Sequence, residues 1–167
     1  MSLSATYRLR MRFDLLDVNG STTLTSADFE LFASRVCRVL GVPAGSPKAE
    51  ALSEGCRLFW EGLAEAADRN QDGQVTFEEY RAFSHADSWF DEHGEAYAAA
   101  VSTVCDLDDD GLIERDHFLG LHSAGGFPLT YSTKLFDDLD GGGTGQVSTG
   151  SFAEFLRKFY TSADDLI

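Results

Sequence analysis

Asp68 to Glu79, DRNQDGQVTFEE, strings oxygen-bearing side chains along one short turn. Asp68, Asn70, Asp72, Thr76 and Glu79 fall at positions 1, 3, 5, 9 and 12 of that stretch. Such a row can replace the water around a hard divalent cation, and Ca²⁺ takes six to eight oxygen ligands at roughly 2.3–2.6 Å. The carbonyl of Gln74, at position 7, adds a further ligand. Glu79 is long enough to reach back with both carboxylate oxygens. So short a segment encloses an ion only by turning sharply, and Gly73 at position 6 allows the positive φ that the turn needs. An acidic surface turn would have no reason to fill every one of these slots.

Aligning on the apolar position 8 (Val75) finds three more frames, beginning at Asp17, Asp106 and Asp140, with Leu24, Ile113 and Val147 at position 8. A ring stands at position 13 of all four: Phe29, Tyr80, Phe118 and Phe152. Phe32, Phe83, Leu121 and Phe155 follow three residues later, on the same face of the helix that each loop must feed. Phe13 and Phe136 hold matching places four residues ahead of the first and fourth loops. Internal repeats of this length are read as architecture before any local detail.

These frames resemble the EF-hand family. Within it the chain looks most like the sarcoplasmic calcium-binding proteins and their bacterial relatives, the calerythrins. Loop starts lie 51, 38 and 34 residues apart, and a stretched first interval is typical of that group. The resemblance implies an all-α fold of four helix–loop–helix units packed as two lobes in one compact protein, with short β-ladders between paired loops. Residues 1–86 would hold the loops 17–28 and 68–79, and residues 87–167 the loops 106–117 and 140–151. It also implies that Val147 pairs with Ile113.

The four loops are unequal. In the first, DVNGSTTLTSAD, Asp17, Asn19, Ser21, Thr25 and Asp28 offer side-chain oxygens and Thr23 a carbonyl. Thr22 replaces the glycine at position 6, and a β-branched residue at positive φ costs about 1–2 kcal/mol. Asp28 is one methylene shorter than glutamate, so the loop must close further, and a tighter cage favours Mg²⁺ as a competitor. The third loop, DLDDDGLIERDH, places Asp106, Asp108, Asp110, the Leu112 carbonyl and Glu114, but has His117 at position 12. Crowded carboxylates favour cation uptake there, while the missing clamp weakens it. The fourth, DGGGTGQVSTGS, keeps only Asp140 as an anion and is expected to be empty. Two or three Ca²⁺ ions are therefore expected, the second loop binding most tightly.

The net charge is −15. This argues against nucleic acid and anionic membrane surfaces, which demand lysine and arginine clusters. Cys37, Cys56 and Cys105 show no zinc-type spacing and read as reduced thiols of a cytoplasmic protein. No signal-peptide h-region, membrane-length apolar run or myristoylation-type start is evident. No surface motif indicates a protein partner, and a monomer is expected.

Helices must position the loops. Leu9, Phe13 and Leu16 share a helical face before the first loop, and Phe29, Phe32, Val36 and Leu40 share one after it. GVPAGSP, residues 41–47, breaks the chain. The next helix has Leu52, Phe59 and Leu63 inward, and Trp89 and Phe90 are expected to plug the junction between lobes. Thr130 is an N-cap candidate for a helix near Tyr131.

Only two methionines, Met1 and Met11, are present, whereas calcium sensors use methionine-rich grooves. A buffer or carrier is the leading reading and a sensor the alternative. His85, His93, His117 and His122 lack the partners of a catalytic site, so no enzyme is expected. By analogy with calcium-triggered photoproteins, Trp60, Trp89 and Tyr97 could line a chromophore cavity.

Overall fold

The computed structural model describes residues 3–83, 90 and 93–161. Among these it contains eight helices and two short strands. Helices α1 (Leu3–Leu16) and α2 (Ser26–Leu40) flank the first loop, and α3 (Pro47–Ala67) and α4 (Phe77–Phe83) the second. Helices α5 (Glu95–Val104) and α6 (Arg115–Ala124) flank the third, and α7 (Leu129–Leu139) and α8 (Thr149–Thr161) the fourth. The expected all-α fold of four helix–loop–helix units is the one observed.

Local chemistry sets the helix ends. Gly41 closes α2 at φ 70°, a left-handed cap that costs glycine nothing. Ser46 then accepts a hydrogen bond from the Ala49 N–H at 3.3 Å, and Pro47 opens α3. Thr130, the N-cap candidate in the sequence, does not cap α7. The helix begins at Leu129, with Pro128 as its N-cap residue. The Pro128 carbonyl already accepts from both the backbone N–H and the hydroxyl of Ser132, each at 3.1 Å, so the first turn is set before Thr130 is reached.

The loops pair through their eighth residues. Leu24 and Val75 exchange two backbone hydrogen bonds of 2.9 Å. Strands β1 (Leu112–Glu114) and β2 (Gln146–Ser148) run antiparallel, with Ile113 opposite Val147, the pairing that the family resemblance implied. All four eighth residues are buried, as are the rings of Phe29, Tyr80, Phe118 and Phe152. The shared register of loops and rings is therefore a register of core positions.

One continuous core runs through both halves. Helix α3 packs most extensively against α5, and the two run antiparallel. A Cβ on Gly55 would lie 3.0 Å from the Cβ of Ala100, and one on Gly62 would lie 2.2 Å from His93. Only glycine permits that approach. Phe59 of α3 sits at the centre, with ring centroids 4.5 Å from Tyr97, 5.3 Å from Tyr160 and 5.4 Å from Phe29. Phe90 is fully buried against it, as expected of a plug between the lobes; Trp89 and His85 lie outside the described residues. A cavity of about 40 Å³ remains between the lobes, lined in part by Phe29, Tyr97, His122 and Tyr160. That holds a few waters and no chromophore. Trp60 lines a different feature, a groove between α2 and α3. Burial pushes the Cys56 thiol up to about 12 and raises Cys105 as well, so both are inert thiols. Cys37 is half-buried and also raised by desolvation.

His122 is a buried titratable group that ties stability to pH. It is 4 % exposed and packs on Phe118, Phe127 and Phe152. Burial brings its pKa down to about 4. The unfolded chain therefore takes up this proton first as pH falls. The contribution is complete above the unfolded value of about 6.5 and is lost as pH falls to about 4, a loss of about 3 kcal/mol. Urea melts across that range are expected to show the decline in the wild type and a flatter profile in His122→Phe.

Candidate metal centres

All four loops share one backbone scaffold. The first-position aspartate accepts a hydrogen bond on Oδ2 from the sixth-position N–H: Thr22 to Asp17 at 2.9 Å, Gly73 to Asp68 at 2.9 Å, Gly111 to Asp106 at 2.8 Å and Gly145 to Asp140 at 2.8 Å. Its Oδ1 accepts from the fifth-position N–H at 2.9–3.3 Å in each loop. Curling the chain around one carboxylate in this way drives the sixth residue to positive φ, 76° even for Thr22. The fourth residue is positive as well: Gly20, Gln71, Asp109 and Gly143. Sequence reasoning found the sixth position and missed the fourth, although glycine or aspartate at three of those four positions was a usable signal.

In the second loop, Asn70 Oδ1 lies 3.3 Å from the Asp72 N–H and Asp72 Oδ1 accepts from Gln74 N–H at 2.9 Å. Glu79 Oε2 accepts from the N–H and hydroxyl of Thr76, at 2.9 and 3.2 Å. Position 12 is thereby tied to position 9 through one carboxylate oxygen. The donor set is all oxygen and carries three carboxylates, a chemistry that suits Ca²⁺.

The first loop closes further, as its shorter acid requires. Asp28 is completely buried, accepting from Asn19 N–H at 3.1 Å on one oxygen and from Thr25 N–H at 2.9 Å on the other. Burial raises its pKa, an effect only partly offset by those donors. The Ser21 hydroxyl donates to the carbonyl of Thr23 at 2.9 Å, joining positions 5 and 7.

The third loop brings Asp106, Asp108 and Asp110 together with oxygens within 4.8 Å of one another, the one such cluster among the described residues. Desolvation, with Asp110 and Asp106 alongside, raises the Asp108 pKa. Glu114 is outside that cluster. Its carboxylate is shared between His117 Nδ1 at 3.2 Å and Gln146 Nε2 at 3.4 Å. The Leu112 N–H donates to Asp110 Oδ1 at 2.9 Å.

The fourth loop keeps the same shape with one carboxylate. Thr144 Oγ1 lies 2.9 Å from Asp140 Oδ1 and 3.1 Å from the Gln146 carbonyl. The Ser148 and Ser151 hydroxyls are 2.8 Å apart. Hydrogen bonds thus link positions 1, 5 and 7, and positions 9 and 12. Backbone donors from Thr144 and Gly145 lower the Asp140 pKa. The loop supplies β2, the strand against which the third loop is ordered.

Paired helix–loop–helix units with this scaffold define an EF-hand protein, and comparison with known proteins agrees. A family model described as EF hand matches residues 65–84, the second loop and its flanks. Calerythrin of Saccharopolyspora erythraea is 26% identical over 162 residues, covering 93% of this chain and 92% of that protein. The beta chain of a Penaeus sarcoplasmic calcium-binding protein is 27% identical over 115 residues, covering 62% of this chain and 58% of that one. A solved structure of a Streptomyces coelicolor calcium-binding protein, described as a basis for prokaryotic calcium-mediated regulation, is 28% identical. It matches with a TM-score of 0.83 over 94% of this chain and 98% of that one. An EF hand is thus matched at the second loop, and calerythrin and a sarcoplasmic calcium-binding protein are among the proteins to which this chain is similar.

No helix among the described residues is long and apolar enough to cross a membrane.

Proposed function

We propose that the chain binds two or three Ca²⁺ ions and acts mainly as a buffer or carrier. Asp68, Asn70, Asp72, the Gln74 carbonyl and Glu79 would hold the tightest ion. Asp17, Asn19, Ser21, the Thr23 carbonyl and Asp28 would hold another, open to competition from Mg²⁺. Asp106, Asp108, Asp110, the Leu112 carbonyl and Glu114 would hold the weakest. Residues 1–86 and 87–167 are taken as the two EF-hand pairs. When bound, the ion offsets the mutual repulsion of each loop's carboxylates. The protein's part is to hold those oxygens converged on first-position carboxylates already fixed by backbone N–H groups.

The observation that carries the buffer reading is the interface between lobes. Phe59, Tyr97, Tyr160 and Phe90 interlock there, and the remaining space is about 40 Å³. Opening a helix pair to expose a groove would break that aromatic packing. Ca²⁺ is therefore expected to change the fluorescence of a hydrophobic dye less than about twofold. A severalfold rise with added Ca²⁺ would overturn the reading.

A sensor is the second reading. It is favoured by the regulatory description of the Streptomyces coelicolor protein and by the groove between α2 and α3, about 640 Å³ in volume.

A further inference from the structure

Lys48 lies in the first turn of α3, yet its ammonium group rests on the third loop. It contacts the backbone carbonyl of Asp106 and the carboxylate of Asp109 at 2.8 Å. Antiparallel packing of α3 on α5 puts it there. Gly62 of α3 is beside His93, Gly55 is beside Ala96 and Ala100 of α5, and the start of α3 then arrives where α5 ends. Carbonyls at that end carry the negative pole of the helix, which gives the ammonium a second reason to sit there. Its side chain is one-fifth exposed, against 73% for Asp109. The loop it touches is the one in which three carboxylates converge within 4.8 Å and in which His117 takes the place of an acidic twelfth residue.

We propose that Lys48 sets the ion affinity of the third loop, acting as a tethered cation that competes with a divalent ion for the same field. The inference rests on the third loop being an ion site. Two effects have the same sign. In the ion-free loop the ammonium offsets repulsion among the carboxylates, which stabilises the empty state. In the filled loop it repels the ion and cancels the attraction that Asp109, outside the ligand positions, would otherwise add. The third loop is then held at low affinity by a residue that belongs to the helix leading into the second loop.

The test is a Ca²⁺ titration of ¹⁵N-labelled protein, following the amides of Gly111 and Gly73 separately. Each donates to the first carboxylate of its own loop, so each reports one site. Lys48→Met is expected to raise third-loop affinity about tenfold at low salt, the gain shrinking as salt approaches about 0.5 M. The Gly73 midpoint should move less than about twofold. Lys48→Gln, which keeps a donor for the Asp106 carbonyl but no charge, should behave as Lys48→Met does. Lys48→Arg should behave as the wild type. A Gly111 midpoint that is unchanged or weakened in both neutral variants overturns the proposal. If Gly111 responds in the wild type and Asp108→Asn abolishes that response, the third loop is an ion site whichever way Lys48 falls. If Gly111 stays silent in wild type and neutral variants at millimolar Ca²⁺, both inferences fail together.

Discussion

Glu79→Gln is expected to weaken the tightest Ca²⁺-binding event by about 100-fold or more, equivalent to about 3 kcal/mol. The substitution preserves shape and removes one negative charge from a loop with three carboxylates. It also replaces an oxygen with an amide nitrogen, so bidentate ligation is no longer available. The helix start should survive. Glu79 Oε2 holds the Thr76 N–H at 2.9 Å, and a glutamine oxygen can accept the same bond. The loss is therefore a loss of ligation and not of the turn. Calorimetric titration of the variant beside the wild type reads it directly, with the weaker events of the other loops as internal controls. An isotherm indistinguishable from wild type would mean that the second loop is not the principal site.

Removing Ca²⁺ is expected to lower the melting temperature by roughly 15–30 °C. Each ion held at a free concentration about 1,000 times its dissociation constant adds about 4 kcal/mol by mass action. For a chain of this size each kcal/mol shifts the midpoint by about 2–4 °C. Two such sites account for the range. The ion-free protein has specific reasons to be weak. Asp28 carries a carboxylate that is completely buried, and burial disfavours its charged form. Asp106, Asp108 and Asp110 converge within 4.8 Å of one another, a repulsion that Lys48, paired with Asp109, offsets only in part. Three divalent ions would bring the net charge of −15 to about −9. Calorimetric scans with Ca²⁺ and with excess chelator make the measurement. A shift under about 5 °C would show that ion binding and folding are scarcely linked in this chain.

The loops were legible in the sequence because their chemistry is local. Each first-position carboxylate accepts from backbone N–H groups four and five residues on, so Asp68 and Gly73 are readable as a pair wherever the helices lie. The rings at position 13 were legible because helical spacing fixes the face they share. Even Thr22, which breaks the glycine rule, takes the conformation that its position demands. Position 4 was missed because it contributes no ligand, only backbone curvature. Thr130 was misassigned because capping depends on which carbonyl is already engaged, and Pro128 had taken that role.

By itself the sequence determined four loop frames of one pattern, their order of charge and the helices that flank them, since each depends on residues close together in the chain. Tertiary structure alone decided what lies between the frames. Phe59 meets Tyr160 across a distance in sequence that no periodicity reports, and Gly62 matters only because His93 presses against it. Lys48 reaches a loop 58 residues away because α3 and α5 run antiparallel, and long-range packing of that kind leaves no mark on the local order of residue types.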